Sequence, residues 1–137
     1  LHNSNSGFKY WQKPLSSSSK PIISKELIYI ISEKELLICI ELKSGNIIWS
    51  KNIKNLKNTK NLPKNIKRIS KIDRIEEIYI INSKLYLFTN NGFIVNVNHK
   101  DGSIIFVDKI AKLNSKPIFV DGSLYFINSK NKLIQFN

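Results

Sequence analysis

Cysteine, arginine and histidine are nearly missing from this 137-residue chain, and so is any long apolar run. The single Cys39 rules out an internal disulfide and a cysteine-rich zinc site. It lies between Ile38 and Ile40, in the middle of a strand-like run, and reads as a packing residue. His2 and His99 stand far apart and offer neither metal-ligand spacing nor a nucleophile–base pair. Acids number only ten, and Asp101 and Asp121 belong to Asp-Gly turns, where a short carboxylate caps its own backbone. Neither a phosphate-cradling glycine loop nor an oxygen-rich calcium loop is visible. The residues therefore nominate no catalytic, cofactor-binding or metal site. Apolar runs such as Leu27–Ile31 and Leu36–Ile40 are strand-sized, whereas a membrane helix needs about 20 residues. The first residue is Leu and no charged-then-apolar leader follows it, so the chain is expected to be a piece of a longer protein.

Positive charge is plentiful. The formal net charge is +12, carried by 20 Lys and only 2 Arg. Such a balance would ordinarily suit an acidic partner. That signal is weakened by the near-absence of Arg, and because Lys, Asn and Ile together make 61 of the 137 residues, a bias that looks like AT-rich codon usage acting on tolerant surface positions. The scarcity of Arg weakens a nucleic-acid reading, because Arg rather than Lys matches phosphates and bases by a bidentate fork.

One stretch, Leu36–Trp49, reads as an apolar strand, a tight turn at Ser44-Gly45-Asn46 and a second strand ending in tryptophan. The chain writes it again. Ser6-Gly7 leads to Trp11, and Asp101-Gly102 leads to Phe106 in the tryptophan slot. Tyr29 and Tyr86 are 57 positions apart, as are Gly45 and Gly102. Tyr86 and Tyr125 are 39 apart, and Gly7 and Gly45 are 38 apart. The period is thus 38–39, with one added segment between Gly45 and Ile78. A period near 40 with four short strands per unit marks a β-propeller blade. Most strands are apolar on both faces, as expected for sheets stacked face to face.

The expected architecture is all-β: a partial β-propeller of about three four-stranded antiparallel blades in one domain, 1–137. It comprises a blade end at 6–13 with a strand over Phe8–Lys13, a blade at 20–51, a basic insertion at 52–76, a blade at 77–109 and an incomplete last blade at 116–137. That gives twelve strands, with Leu133–Phe136 as an open edge. Trp11, Trp49 and Phe106 are expected to dock adjacent blades, each burying a large apolar area. From Lys51 to Arg74 the insertion carries nine Lys and Arg against one Asp. Leu56, Leu62, Ile66, Ile69 and Ile72 recur irregularly and allow a short amphipathic helix around Lys64–Ile72. Two readings of the insertion stay open: a solvated connection, or a contact surface for an acidic partner or lipid headgroups through Lys54, Lys57, Lys60, Lys64, Lys67 and Arg68.

Pro117–Tyr125, Pro21–Tyr29 and the glycine–aromatic turns at Gly7, Gly45 and Gly102 resemble the PQQ-like propeller repeat. Within it the chain looks most like the family of the outer-membrane assembly lipoprotein BamB. The resemblance implies the C-terminal portion of a larger, eight-bladed ring that is periplasmic and lipid-anchored through a cysteine outside this chain. It also implies a non-catalytic scaffold with no cofactor and no nucleic acid, whose partner is the barrel-forming assembly subunit. The enzymatic branch of the superfamily supplies the alternative, a PQQ-dependent quinoprotein dehydrogenase with its catalytic residues in blades outside this chain. A third reading is a propeller that binds anionic surfaces through the insertion.

Overall fold

A computed structural model describes residues 11–15, 17 and 20–136 of the chain. Its strands form three antiparallel sheets, each a plain meander in which neighbours in sequence are neighbours in the sheet. The first holds β1 (Ile22–Ser24), β2 (Leu27–Ile31), β3 (Leu36–Glu41) and β4 (Ile47–Asn52). The second holds β5 (Ile75–Ile81), β6 (Lys84–Thr89), β7 (Phe93–Asn98) and β8 (Ile104–Lys109). The third holds β9 (Ile118–Val120), β10 (Ser123–Ile127) and β11 (Leu133–Phe136). The chain is therefore a partial β-propeller.

Short turns enforce the meander. Asn82-Ser83 and Asp121-Gly122 place consecutive residues at positive φ, the twist that suits a two-residue hairpin. The repeat is visible in its irregularities as well. A bulge falls between Cys39 and Ile40 where β3 meets β4, and another between Asn96 and Val97 where β7 meets β8. Both positions shift by the same 57 residues that separate Tyr29 from Tyr86.

The core lies between sheets. Tyr29, Ile31, Leu37 and Cys39 of the first sheet pack against Ile78, Leu85, Leu87 and Val95 of the second. The opposite face of the second sheet presents Tyr86, Phe88 and Ile94 to Leu124 and Phe126 of the third. A strand buried on both faces has no polar side to show, which accounts for the unalternating Ile- and Leu-rich runs.

Several boundaries differ from expectation. β4 continues to Asn52 and β5 begins at Ile75, so the segment between them is shorter than 52–76. Of the expected Phe8–Lys13 strand, residues 8–10 lie outside the described residues, and residues 11–13 are not assigned to a strand. Eleven strands are seen among the described residues rather than twelve. In place of an amphipathic α-helix over Lys64–Ile72, the insertion forms two 3-10 helices, Ile53–Asn58 and Lys67–Lys71. The second has no side-chain cap at Ile66, and Asn65 just before it is held by β8. A segment pinned this closely at its start has no room to wind into a longer helix.

Candidate functional site

Two sets of side chains were singled out by the sequence: the repeating aromatics and the cations of the insertion. The aromatics share one geometry. The Trp11 indole lies on Gly45, and its Nε1–H donates to the carbonyl of Leu42 at 2.8 Å. Trp49 lies on Gly102 in the same way and donates to the carbonyl of His99 at 3.1 Å. In each case the acceptor is three residues before the glycine. Both glycines sit at positive φ, +74° and +79°. A Cβ on Gly45 would stand 2.6 Å from the Trp11 ring, and one on Gly102 would stand 2.7 Å from the Trp49 ring. Glycine is thus required twice over, by the backbone conformation and by the ring against it. Phe106 has no N–H to donate. It stacks on Phe136 of the third sheet, with centroids 6.3 Å apart and planes 9° apart. Each aromatic thereby reaches from the end of one repeat to the sheet that follows.

The insertion is part of the core. Ile53, Ile69 and Ile72 are fully buried in the cluster that joins the first two sheets, and Leu56, Leu62 and Ile66 pack against it. This departs from a merely solvated connection. Polar side chains fix its ends. Glu35, at the β2–β3 turn, pairs with Lys54 and accepts the N–H of Ile75 at 3.1 Å. Lys57 donates to the carbonyl of Ile72 at 2.7 Å. Asn90 and Asn91, in the β6–β7 turn, bond Arg74, Asp73 and Lys71. The hydrogen bond from Asn90, helped by nearby Lys54, Arg74 and Lys57, holds the Asp73 carboxyl below the usual carboxylate range.

Asn65 closes the outer edge of the second sheet. Its carbonyl accepts the Val107 N–H at 2.8 Å, and its side-chain amide donates to the carbonyl of Ile105 at 2.6 Å. Arg68 adds an ion pair to Asp108 of the same strand at 2.6 Å. The six cations named from the sequence therefore divide. Lys54, Lys57 and Arg68 are engaged within the chain. Lys60, Lys64 and Lys67 point to solvent, joined by Lys71.

Buried hydroxyls and the thiol serve packing. Burial pushes the Tyr29 phenol up to about 12, aided by Cys39, and the same burial raises the Cys39 thiol. Tyr79, bonded to Glu77, and Tyr86 are likewise raised, burial being the largest cause. Asp101 is held low by the N–H and hydroxyl of Ser103, the capping role its Asp-Gly turn suggests. Among the described residues no three His, Cys, Asp or Glu side chains form a metal-binding group, and no helix is long and apolar enough to cross a membrane. Sequence reasoning missed Glu35, Asn65, Asn90 and Asn91. In a chain so rich in Asn, nothing local marked those that bridge distant segments.

The meandering sheets, the 57-residue phase and the aromatics resting on glycines define a repeat β-propeller. The fold is BamB-like. The family model described as outer membrane protein assembly factor BamB matches residues 2–51. The crystal structure of BamB from Moraxella catarrhalis superposes on 96% of this chain and 35% of that one, with a TM-score of 0.64 at 14% identity. The computationally designed Ika8 protein covers 85% of the chain and 31% of its own, with a TM-score of 0.55 at 7% identity. A europium-containing methanol dehydrogenase covers 77% and 19%, with a TM-score of 0.51 at 15% identity. The chain thus spans about a third of the length of the BamB structure. No curated protein matches it.

Proposed function

We propose that the chain belongs to a non-catalytic propeller scaffold that holds protein partners during assembly of outer-membrane β-barrels. The observation that carries this reading is the double match to BamB, by family model over residues 2–51 and by structure over 96% of the chain. The methanol dehydrogenase likeness reaches less of the chain at a lower TM-score. On this reading the protein works in the periplasm at the inner face of the outer membrane. A lipid anchor outside this chain holds it there, and the barrel-forming assembly subunit is its partner. The visible blades contribute rigidity: Trp49 and Tyr29 are committed to packing between the first two sheets, and Trp11 packs on the first.

The test is affinity purification of the full-length protein from its own cells after gentle solubilisation. Enrichment of the barrel-forming subunit is expected. Its absence, together with dye reduction by the purified protein when PQQ, calcium and an alcohol are supplied, would overturn the scaffold in favour of a quinoprotein dehydrogenase. The dehydrogenase neighbour is the observation that gives this second reading its place.

A further inference from the structure

Two grooves meet on the outer surface of the insertion. The larger, of about 1020 Å³, runs between Lys64, Lys67 and Lys71 on one side and β8 on the other. The smaller, of about 540 Å³, adds Thr59, Lys60 and Asn61. Leu62, Lys67 and Ser70 line both, so the two form one continuous trough. Half-buried Leu62 and buried Val107 give it an apolar floor.

The charge along this trough is unbalanced. Lys60, Lys64, Lys67 and Lys71 are exposed and have no ion pair among the described residues. The one carboxylate in the trough, Asp108, is already paired with Arg68. Four ammonium groups therefore surround an apolar floor without an internal counter-charge.

Its shape and chemistry select among anionic partners. A bilayer surface would meet the exposed lysines but make no use of the half-buried Leu62 between them. Residues 52–74 contain no aromatic on which a nucleic-acid base could stack. The single Arg of the trough is engaged, which leaves no free guanidinium fork for phosphate. Lysines recognise charge without demanding bidentate geometry, and an apolar floor rewards an apolar side chain carried between charges. Main-chain pairing with β8 is closed at this point, because Asn65 already occupies the Val107 N–H and the Ile105 carbonyl.

We infer that this trough binds an extended acidic polypeptide segment, with carboxylates on Lys60, Lys64, Lys67 and Lys71 and an apolar side chain on Leu62. The inference goes beyond the scaffold reading and does not depend on which assembly the propeller joins.

The test uses the full-length protein and a fluorescent peptide alternating Glu with Leu. The comparison probes are a Glu/Ser peptide, single-stranded oligothymidine and vesicles containing phosphatidylglycerol. A trough variant carries Lys60→Glu, Lys64→Glu, Lys67→Glu and Lys71→Glu. A control carries Lys25→Glu, Lys34→Glu, Lys130→Glu and Lys132→Glu, with the same change in net charge. The Glu/Leu peptide is expected to bind more tightly than the Glu/Ser peptide. The trough variant is expected to lose about tenfold or more in affinity for it, and the control about threefold or less. Equal losses in both variants, no peptide binding, or tighter binding of oligothymidine or vesicles through the same lysines would overturn the inference. Melting curves establish that both variants are folded. Recovery of the barrel-assembly subunit is scored separately, so failure of the trough and failure of the scaffold are told apart.

Discussion

Glu35 joins three parts of the molecule with one carboxylate: the β2–β3 turn that carries it, Lys54 of the insertion and the N–H at the start of β5. Removing a partly buried acceptor leaves its donors unsatisfied, a penalty of about 1–3 kcal/mol. Glu35→Ala is accordingly expected to lower unfolding free energy by about that amount in urea titrations, and Glu35→Gln, which keeps an acceptor for Ile75, by less. The docking glycines make a sharper case. Gly102→Ala is expected to cost about 1–3 kcal/mol, from strain at positive φ and from collision with Trp49. Shrinking the ring by Trp49→Leu relieves the collision but not the backbone strain. A double-mutant cycle should therefore show coupling; strictly additive losses would contradict a ring resting on that glycine. The phenols of Tyr29, Tyr79 and Tyr86 contribute a loss of stability at high pH. Each holds its proton more tightly in the folded chain than an exposed tyrosine does. The unfolded chain therefore ionises first as pH rises past about 10, and stability falls from there upward. Melting temperature followed against pH should stay level on the approach to that point and then decline, and Tyr29→Phe should soften the decline.

The insertion is the element whose role changed most between sequence and structure. Its cations were legible, and its apolar residues were noticed as allowing a short helix, but their burial between two sheets was not legible. Leu56, Leu62, Ile66, Ile69 and Ile72 follow no regular period, because 3-10 turns and extended links alternate along the segment. Their partners, such as Tyr29, Leu37 and Val95, come from two different sheets. Local pattern carries no trace of such partners. By contrast the blades were legible because each strand pairs with the next one along the chain, so short-range spacing contains the whole topology. The regular phase of Trp11, Trp49 and Phe106 was legible in the sequence. The carbonyls that the two tryptophans donate to, Leu42 and His99, were not, since backbone acceptors leave no mark in a sequence. Because Ile69 is fully buried, Ile69→Ala is expected to destabilise the protein by about 2–5 kcal/mol, as a core truncation would and a surface one would not. Thermal or urea unfolding checks this; a loss within the range of ordinary surface changes would return the segment to the status of a loop.

Across the whole molecule the two ends of the stack are unlike its middle. Ile22, Tyr29, Ile31 and Leu37 face the second sheet; their counterparts in the third sheet, by the repeat phase, are Ile118, Tyr125, Ile127 and Leu133. Nothing in the described chain covers that last face: Ile118 is 63% exposed, Ile127 42% and Leu133 72%. Exposed apolar faces of this kind seek a partner. The 137-residue chain made by itself is expected to self-associate, and Ile118→Lys with Leu133→Lys to shift sedimentation toward the monomer without lowering the melting temperature. The eight-bladed ring of the BamB-like proposal would supply a further leaf there instead. The forward reach of the tryptophans bears on where the chain can be cut. Within its own leaf the Trp49 indole meets the Tyr29 ring, and the glycine and carbonyl that complete its seat, Gly102 and His99, lie about fifty residues further along the chain. A chain cut anywhere between Asn52 and His99 would keep the first leaf's strands and lose the seat of its closing ring.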